Sequence, residues 1–133
     1  MRRLLAGLVL GSTALLAVSP TAGATETEPV APEKIELRCR KAVVVVERDG
    51  EVHRKLVIGC RWSKSTSEDF HAYRLVRKVD ELPRAVVFRS DNQDRQRFID
   101  RRVRKEHEYT CRLVVVDDEG KVVGLSNKAV VTT

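Results

Sequence analysis

Residues 35–62 read IELRCRKAVVVVERDGEVHRKLVIGCRW. Two apolar-rich runs flank Asp49-Gly50, a dipeptide suited to the φ > 0 geometry of a two-residue hairpin turn. Helical spacing is not kept on either side. Leu56, Ile58, Cys60 and Trp62 alternate with Val57, Gly59 and Arg61, the period of two that a strand with one buried face requires. A turn at 49 and 50 sets opposite each other those residues whose numbers sum to 99. Leu37 then faces Trp62, Cys39 faces Cys60, Lys41 faces Ile58 and Val43 faces Leu56. The cysteines fall at a non-hydrogen-bonded position, where Cα atoms stand about 4.5 Å apart, at the short end of the disulfide range. A Cys39–Cys60 bridge is the expected pairing. Its rival is Cys60–Cys111, linking two sheets, and a bulge in the hairpin would favour the rival by shifting the register. Lys41 on the apolar side is the one sign of irregularity.

Outward from the hairpin the same chemistry repeats. Strand-like runs are expected near 35–46, 52–62, 71–79, 85–89, 96–100, 108–116 and 121–131, seven in all. Turn residues separate them: Glu81-Leu82-Pro83, Asp91-Asn92 and Asp117-Asp118-Glu119-Gly120. In the sixth run Tyr109, Cys111, Leu113 and Val115 alternate inward, with Thr110, Arg112, Val114 and Val116 outward. So many short strands in about 100 residues predict an all-β, antiparallel sandwich. With Cys39 paired to Cys60, Cys111 is left over and reads as a buried free thiol beside Tyr109.

The N-terminus has a different character. Arg2-Arg3 precedes an apolar stretch to Val18, and Ala22-Gly23-Ala24 supplies a small-x-small cleavage site. That is a secretory signal peptide over 1–24, cleaved after Ala24. The apolar stretch is short of the roughly 20 residues of a membrane span, so no stable membrane insertion is expected. Residues 25–33, with two prolines and three glutamates, read as a flexible leader, and 34–133 as one domain. A secreted protein meets the oxidising conditions in which disulfides persist.

From Trp62 onward an ordered set of positions accumulates. It runs Trp62-Ser63-Lys64, Tyr73-Arg74-Leu75, Asp100, Tyr109-Thr110-Cys111-Arg112-Leu113, Gly120 and Ser126-Asn127. The set resembles a fibronectin type III domain of the bacterial secreted kind, over nearly all of 35–133. The resemblance implies a seven-stranded immunoglobulin-like sandwich with three strands in one sheet and four in the other. It implies Trp62 and Tyr73 as core residues and Tyr109 as the corner tyrosine that bonds backbone upstream. Such domains usually carry Gly shortly before that tyrosine. Here Arg104-Lys105-Glu106-His107 stands there, so the turn must avoid a left-handed residue or tolerate one.

The chain carries no motif for catalysis, a cofactor or a metal. His53, His71 and His107 are scattered, and there is no Cys-x-x-Cys, His-x-x-x-His or Gly-x-Ser-x-Gly. The expectation is a non-enzyme. Formal charge is +6, with 25 Lys+Arg against 19 Asp+Glu. Without Arg2 and Arg3, the only charged side chains of the first 24, it falls to +4. The arginines of 95–104 are interleaved with acids and few aromatics are present for base stacking, so nucleic acid is not the expected partner. The candidate contact surface is the outer face of the third and sixth runs: Arg74, Val76, Lys78, Arg112, Val114 and Val116. The sequence therefore predicts a secreted, non-catalytic binding or adhesion module for an extracellular protein or glycan. The alternative is an accessory protein held to an anionic wall polymer by charge.

Overall fold

The structure is a computed structural model that describes residues 30–133. The expected signal peptide and its cleavage site lie outside the described residues. Within them the fold is all-β, in two sheets, with no helix. Nine strands follow one another: β1 (Glu33–Ile35), β2 (Leu37–Arg48), β3 (Glu51–Trp62), β4 (Ala72–Val79), β5 (Ala85–Ser90), β6 (Arg97–Asp100), β7 (Glu108–Val116), β8 (Val122–Ser126) and β9 (Ala129–Thr132). One sheet has the order β1-β8-β7-β4-β5, with β9 also paired to β7, and the other the order β2-β3-β6.

The first hairpin keeps the register set by its turn. Asp49 and Gly50 both adopt positive φ, 53° and 78°. Every pair from Leu37↔Trp62 to Arg48↔Glu51 is in step, and Lys41 faces Ile58 without a bulge. Cys39 and Cys60 are disulfide-bonded with their Cα atoms 4.1 Å apart.

Two of the seven expected runs prove to be broken. The first divides at Glu36, where the chain leaves one sheet for the other. Ile35 pairs with Ser126 of β8, and Leu37 pairs with Trp62 of β3. Between them the Glu36 N–H donates to Ser63 Oγ (2.9 Å), and the Glu36 carbonyl accepts from the Ser63 N–H (3.0 Å). The last run divides at Asn127-Lys128, with β8 on the far half of β7 and β9 on its near half. The first sheet is mixed rather than purely antiparallel, because β1 runs parallel to β8. The expected leader over 25–33 also ends sooner than its composition suggested. Glu33 is a strand residue, and its carboxylate accepts from Ser65 Oγ (2.7 Å), the Thr66 N–H (2.8 Å) and Thr66 Oγ1 (2.9 Å).

Between the sheets lies one apolar cluster. Trp62, Tyr73, Leu75, Leu113 and Val115 are at its centre, with Ile58, Tyr109, Cys111 and Val131 around them. Trp62 and Tyr73 pack at 5.7 Å between ring centroids, and Phe70 meets Tyr73 edge-on at 4.7 Å. Such tilted contacts are the favoured aromatic geometry. Gly124 is required by close approach, since a Cβ there would stand 2.9 Å from Val115 Cβ. The sheets are also tied by an ion pair, Arg77 of β4 to Asp100 of β6, both largely buried. Arg77 lies over the Tyr109 ring, 5.5 Å from its centroid.

One part of the hairpin projects. β6 pairs with β3 only from Ile58 to Arg61. Beyond that the two strands continue to the turn with no third strand paired to them among the described residues. Val43, Val45 and Val52, on the face that nearer the sandwich forms the core, are 60%, 64% and 66% exposed.

Candidate functional site

The outer face of the first sheet carries a groove. It is built from cross-strand neighbours: Lys78↔Thr110↔Val130, Val76↔Arg112 and Val114↔Leu125. The cavity measures about 350 Å³. Its apolar floor is Val76, Val114, Leu125 and Val130, with Thr110 among them, and its rim is Lys78, Arg84, Arg112 and Lys128. Among the described residues no carboxylate lines it. Lys78 meets Glu81 at 3.5 Å. Among the described residues Arg84, Arg112 and Lys128 have no ion-pair partner. Arg112 is nevertheless held in place. Its Nε donates to the carbonyl of Ser126, the last residue of β8 (3.1 Å). Ser126 Oγ accepts the Leu113 N–H (2.8 Å) and donates to the Asn127 carbonyl (2.7 Å). The positions of this guanidinium and of the two half-strands are therefore set together.

Of the six residues expected on this face, the structure brings Val76, Lys78, Arg112 and Val114 into the groove. Arg74 shares the face, opposite Val114 and Arg89, but does not line the cavity. Val116 is a correction: it is 1% exposed and belongs to no surface. It keeps its register opposite Ala72 of β4, itself fully buried, and the bulge beside it places the extra residue, Val123, on β8, so this end of the outer face is covered rather than open. Arg84, Leu125, Lys128 and Val130 escaped the sequence reading. A single strand over 121–131 would put Leu125 and Val130 on opposite faces. The break at Asn127-Lys128 reverses the parity and unites them.

The structural residues are placed as follows. Trp62 and Tyr73 are buried. The Tyr73 hydroxyl accepts from the Ser65 N–H (2.9 Å) and donates to the Gln93 carbonyl (2.7 Å). The Tyr109 hydroxyl accepts the N–H of Arg104, five residues upstream, at 2.8 Å. Glu106 takes the left-handed conformation of that corner, with φ of 67°. Cys111 is free and buried, and its sulfur and those of Cys39 and Cys60 lie within 4.8 Å of one another. Burial pushes the Cys111 thiol up to about 11, which leaves little thiolate to act as a nucleophile.

Several other titratable groups are engaged with the fold. Asp100 is paired with Arg77 and also accepts the Arg102 N–H (3.0 Å). Asp80 accepts the Glu108 N–H (2.8 Å) and meets His107 Nδ1 at 2.5 Å, contacts that together lower its pKa. Asp94 bonds Lys64 at 2.6 Å and so raises the lysine. His53 stands 3.7 Å from Glu51 on the exposed arm.

No protein-family model matches the chain, and no curated protein does. Solved structures similar to it include a pectate lyase from Pectobacterium carotovorum, 14% identical with a TM-score of 0.50. That match covers 74% of this chain and 26% of the lyase. A structure of titin kinase and its flanking domains is 13% identical with a TM-score of 0.48, covering 74% of this chain and 16% of that one. The chain thus spans about a quarter or less of these larger chains, and the likeness is one of fold alone.

Proposed function

We propose that this protein is a secreted, non-catalytic binding module that takes an acidic segment of an extracellular protein or glycan into the groove on its first sheet. The observation that carries this reading is the combination of an apolar floor with four rim cations and no lining carboxylate. Such a site favours a ligand that offers carboxylates to the rim and a hydrophobic or ring face to the floor. The finer fold assignment belongs with it. If β1 and β2 are one first strand interrupted at Glu36, and β8 and β9 one last strand interrupted at Asn127-Lys128, nine strands reduce to the seven of a fibronectin type III-like sandwich. Secretion is supported by the Cys39–Cys60 bridge, since disulfides persist outside the reducing cytosol. No helix among the described residues is long and apolar enough to cross a membrane. The non-catalytic part rests on the carboxylates of Asp80, Asp94 and Asp100 being bonded to groups that hold the fold.

The test is titration calorimetry with two acidic probes, an alginate oligosaccharide and an oligoglutamate peptide, at low and high salt. Saturable binding of one probe is expected, weakened about tenfold by Arg112→Ala and measurably by Val114→Ser. Binding abolished by salt and indifferent to Val114→Ser would move the protein to the alternative, a wall-associated accessory held by charge. No binding of either probe would overturn both readings. Cleavage of pectate by the purified protein would overturn the non-catalytic one.

A further inference from the structure

The projecting hairpin offers an edge as well as a face. In a two-residue hairpin the residues flanking the turn exchange hydrogen bonds, and bonded and non-bonded pairs then alternate. Counting from Arg48↔Glu51, the even-numbered residues of β2 bond to β3, and the odd-numbered residues turn their N–H and C=O groups away from it. Leu37 fits this parity. Its outward N–H and C=O are both taken by the Asn127 side chain, at 2.8 and 2.9 Å. No described strand pairs with this side of β2. Lys41, Val43, Val45 and Glu47 therefore present a row of backbone donors and acceptors to any incoming strand.

The side chains along this row indicate which strand fits. We propose that a second copy of this chain pairs antiparallel along the edge of β2, with Val44 opposite Val44 and Lys41 opposite Glu47 of the second copy. Outward-facing residues must meet outward-facing residues, so only shifts of two are allowed. The proposed register sets Val43 opposite Val45 and brackets the valines with two Lys–Glu pairs, one at each end by symmetry. A shift of two in one direction sets Val43 opposite Glu47. A shift of two in the other sets Lys41 opposite Val45 and Cys39 opposite Glu47. The one like-charged opposition in the proposed register, Arg40 with Arg48, falls on the other face, where both arginines are exposed and Glu51 stands opposite Arg48. Lys41 and Glu47 would each repel or strand an unmatched apolar strand, so the charges that guard the edge against foreign strands also complement its own copy. Pairing also brings the exposed Val43 and Val45 of both copies together on one face of a sheet that continues from one molecule into the other.

Sedimentation velocity of the purified protein over micromolar to submillimolar concentrations, with hydrogen exchange at each, tests this. The expected result is a concentration-dependent dimer in which the amides of Lys41, Val43, Val45 and Glu47 gain protection, while those of Ala42, Val44 and Val46 are protected throughout. Lys41→Glu or Glu47→Lys alone should weaken the dimer about tenfold, and the two together should restore it. Val45→Pro removes an outward N–H that the hairpin itself does not use, so the dimer should be lost with the fold retained. A monomer at every concentration overturns the proposal. So does a dimer that the double charge exchange fails to restore. Protection of the odd-numbered amides at all concentrations would place a segment of the same chain on the edge and overturn it as well.

Discussion

Glu106 shows how one residue can carry a constraint that the sequence announces without resolving. The corner before Tyr109 needs a left-handed residue, where glycine is the unstrained choice, and a glutamate supplies it. An L-residue with a Cβ is penalised there by about 1–2 kcal/mol. Glycine returns part of that gain, about 0.5–1 kcal/mol, through the greater freedom of its unfolded chain. Glu106→Gly is therefore expected to stabilise the protein by up to about 1 kcal/mol, raising Tm by a few degrees. The Glu106 N–H bond to the Thr133 carbonyl (3.1 Å) is backbone only and survives the change. Thermal unfolding followed by circular dichroism reads the result, and a lower Tm would show that the glutamate side chain itself holds the corner. The cysteines teach the complementary lesson. Their pairing was open between two partners because both lie close in the core, and turn register selects Cys39 over Cys111.

At the scale of the element, an ion pair links β4 to β6. Arg77 and Asp100 sit on different sheets, each shielded from water, with the Arg102 backbone completing their bonds. Removing one member strands the other. Arg77→Met is expected to cost about 3–5 kcal/mol, and the double change Arg77→Met with Asp100→Leu to recover most of it. Urea unfolding of the four proteins of this cycle measures the coupling, and additive losses would mean that the pair contributes nothing as a pair. This contact was not legible in the sequence, where Asp100 stood as one acid in an arginine-rich stretch. What was legible depended on local rules. Asp49-Gly50 fixes twelve pairs of residues, because a two-residue turn leaves no freedom of register. Val116 was hidden because its end of the outer face is covered, as is Ala72 opposite it, and the Leu125–Val130 juxtaposition because a strand break changes parity; only tertiary packing determines either.

At the scale of the whole molecule, stability is linked to pH through Glu33. Burial pushes the Glu33 carboxyl up, but bonds from the Thr66 N–H and the Ser65 and Thr66 hydroxyls outweigh it, and the net pKa is lowered. A carboxyl lowered on folding adds stability that is present above its unfolded value, near 4.5, and is lost as pH falls through the folded value. Stability should therefore hold from neutrality to about pH 5 and then decline. Glu33→Gln should start from a lower Tm at pH 7 and show a shallower decline as pH falls below about 5. Parallel Tm–pH curves for the two proteins would remove Glu33 from the account. Because Glu33 anchors β1 to the loop after β3, its protonation first loosens the strand that borders β8.

The Asn127 clasp on Leu37 has a consequence in time. It joins residues 90 positions apart, and β1 meets β8 over a similar separation, Lys34 with Leu125. Contacts of such long range are formed late and slowly, because the intervening loop must be closed before they return any free energy. The hairpin of β2 and β3 can form as soon as residue 62 has left the ribosome or the export channel, but the edge of its sheet stays unclasped until residue 127 has followed. Throughout that interval the free row of β2 extends back past Lys41 to Leu37. A nascent or half-exported chain is then most exposed to pairing with its neighbours, and closure of the clasp shortens the edge left to the finished protein.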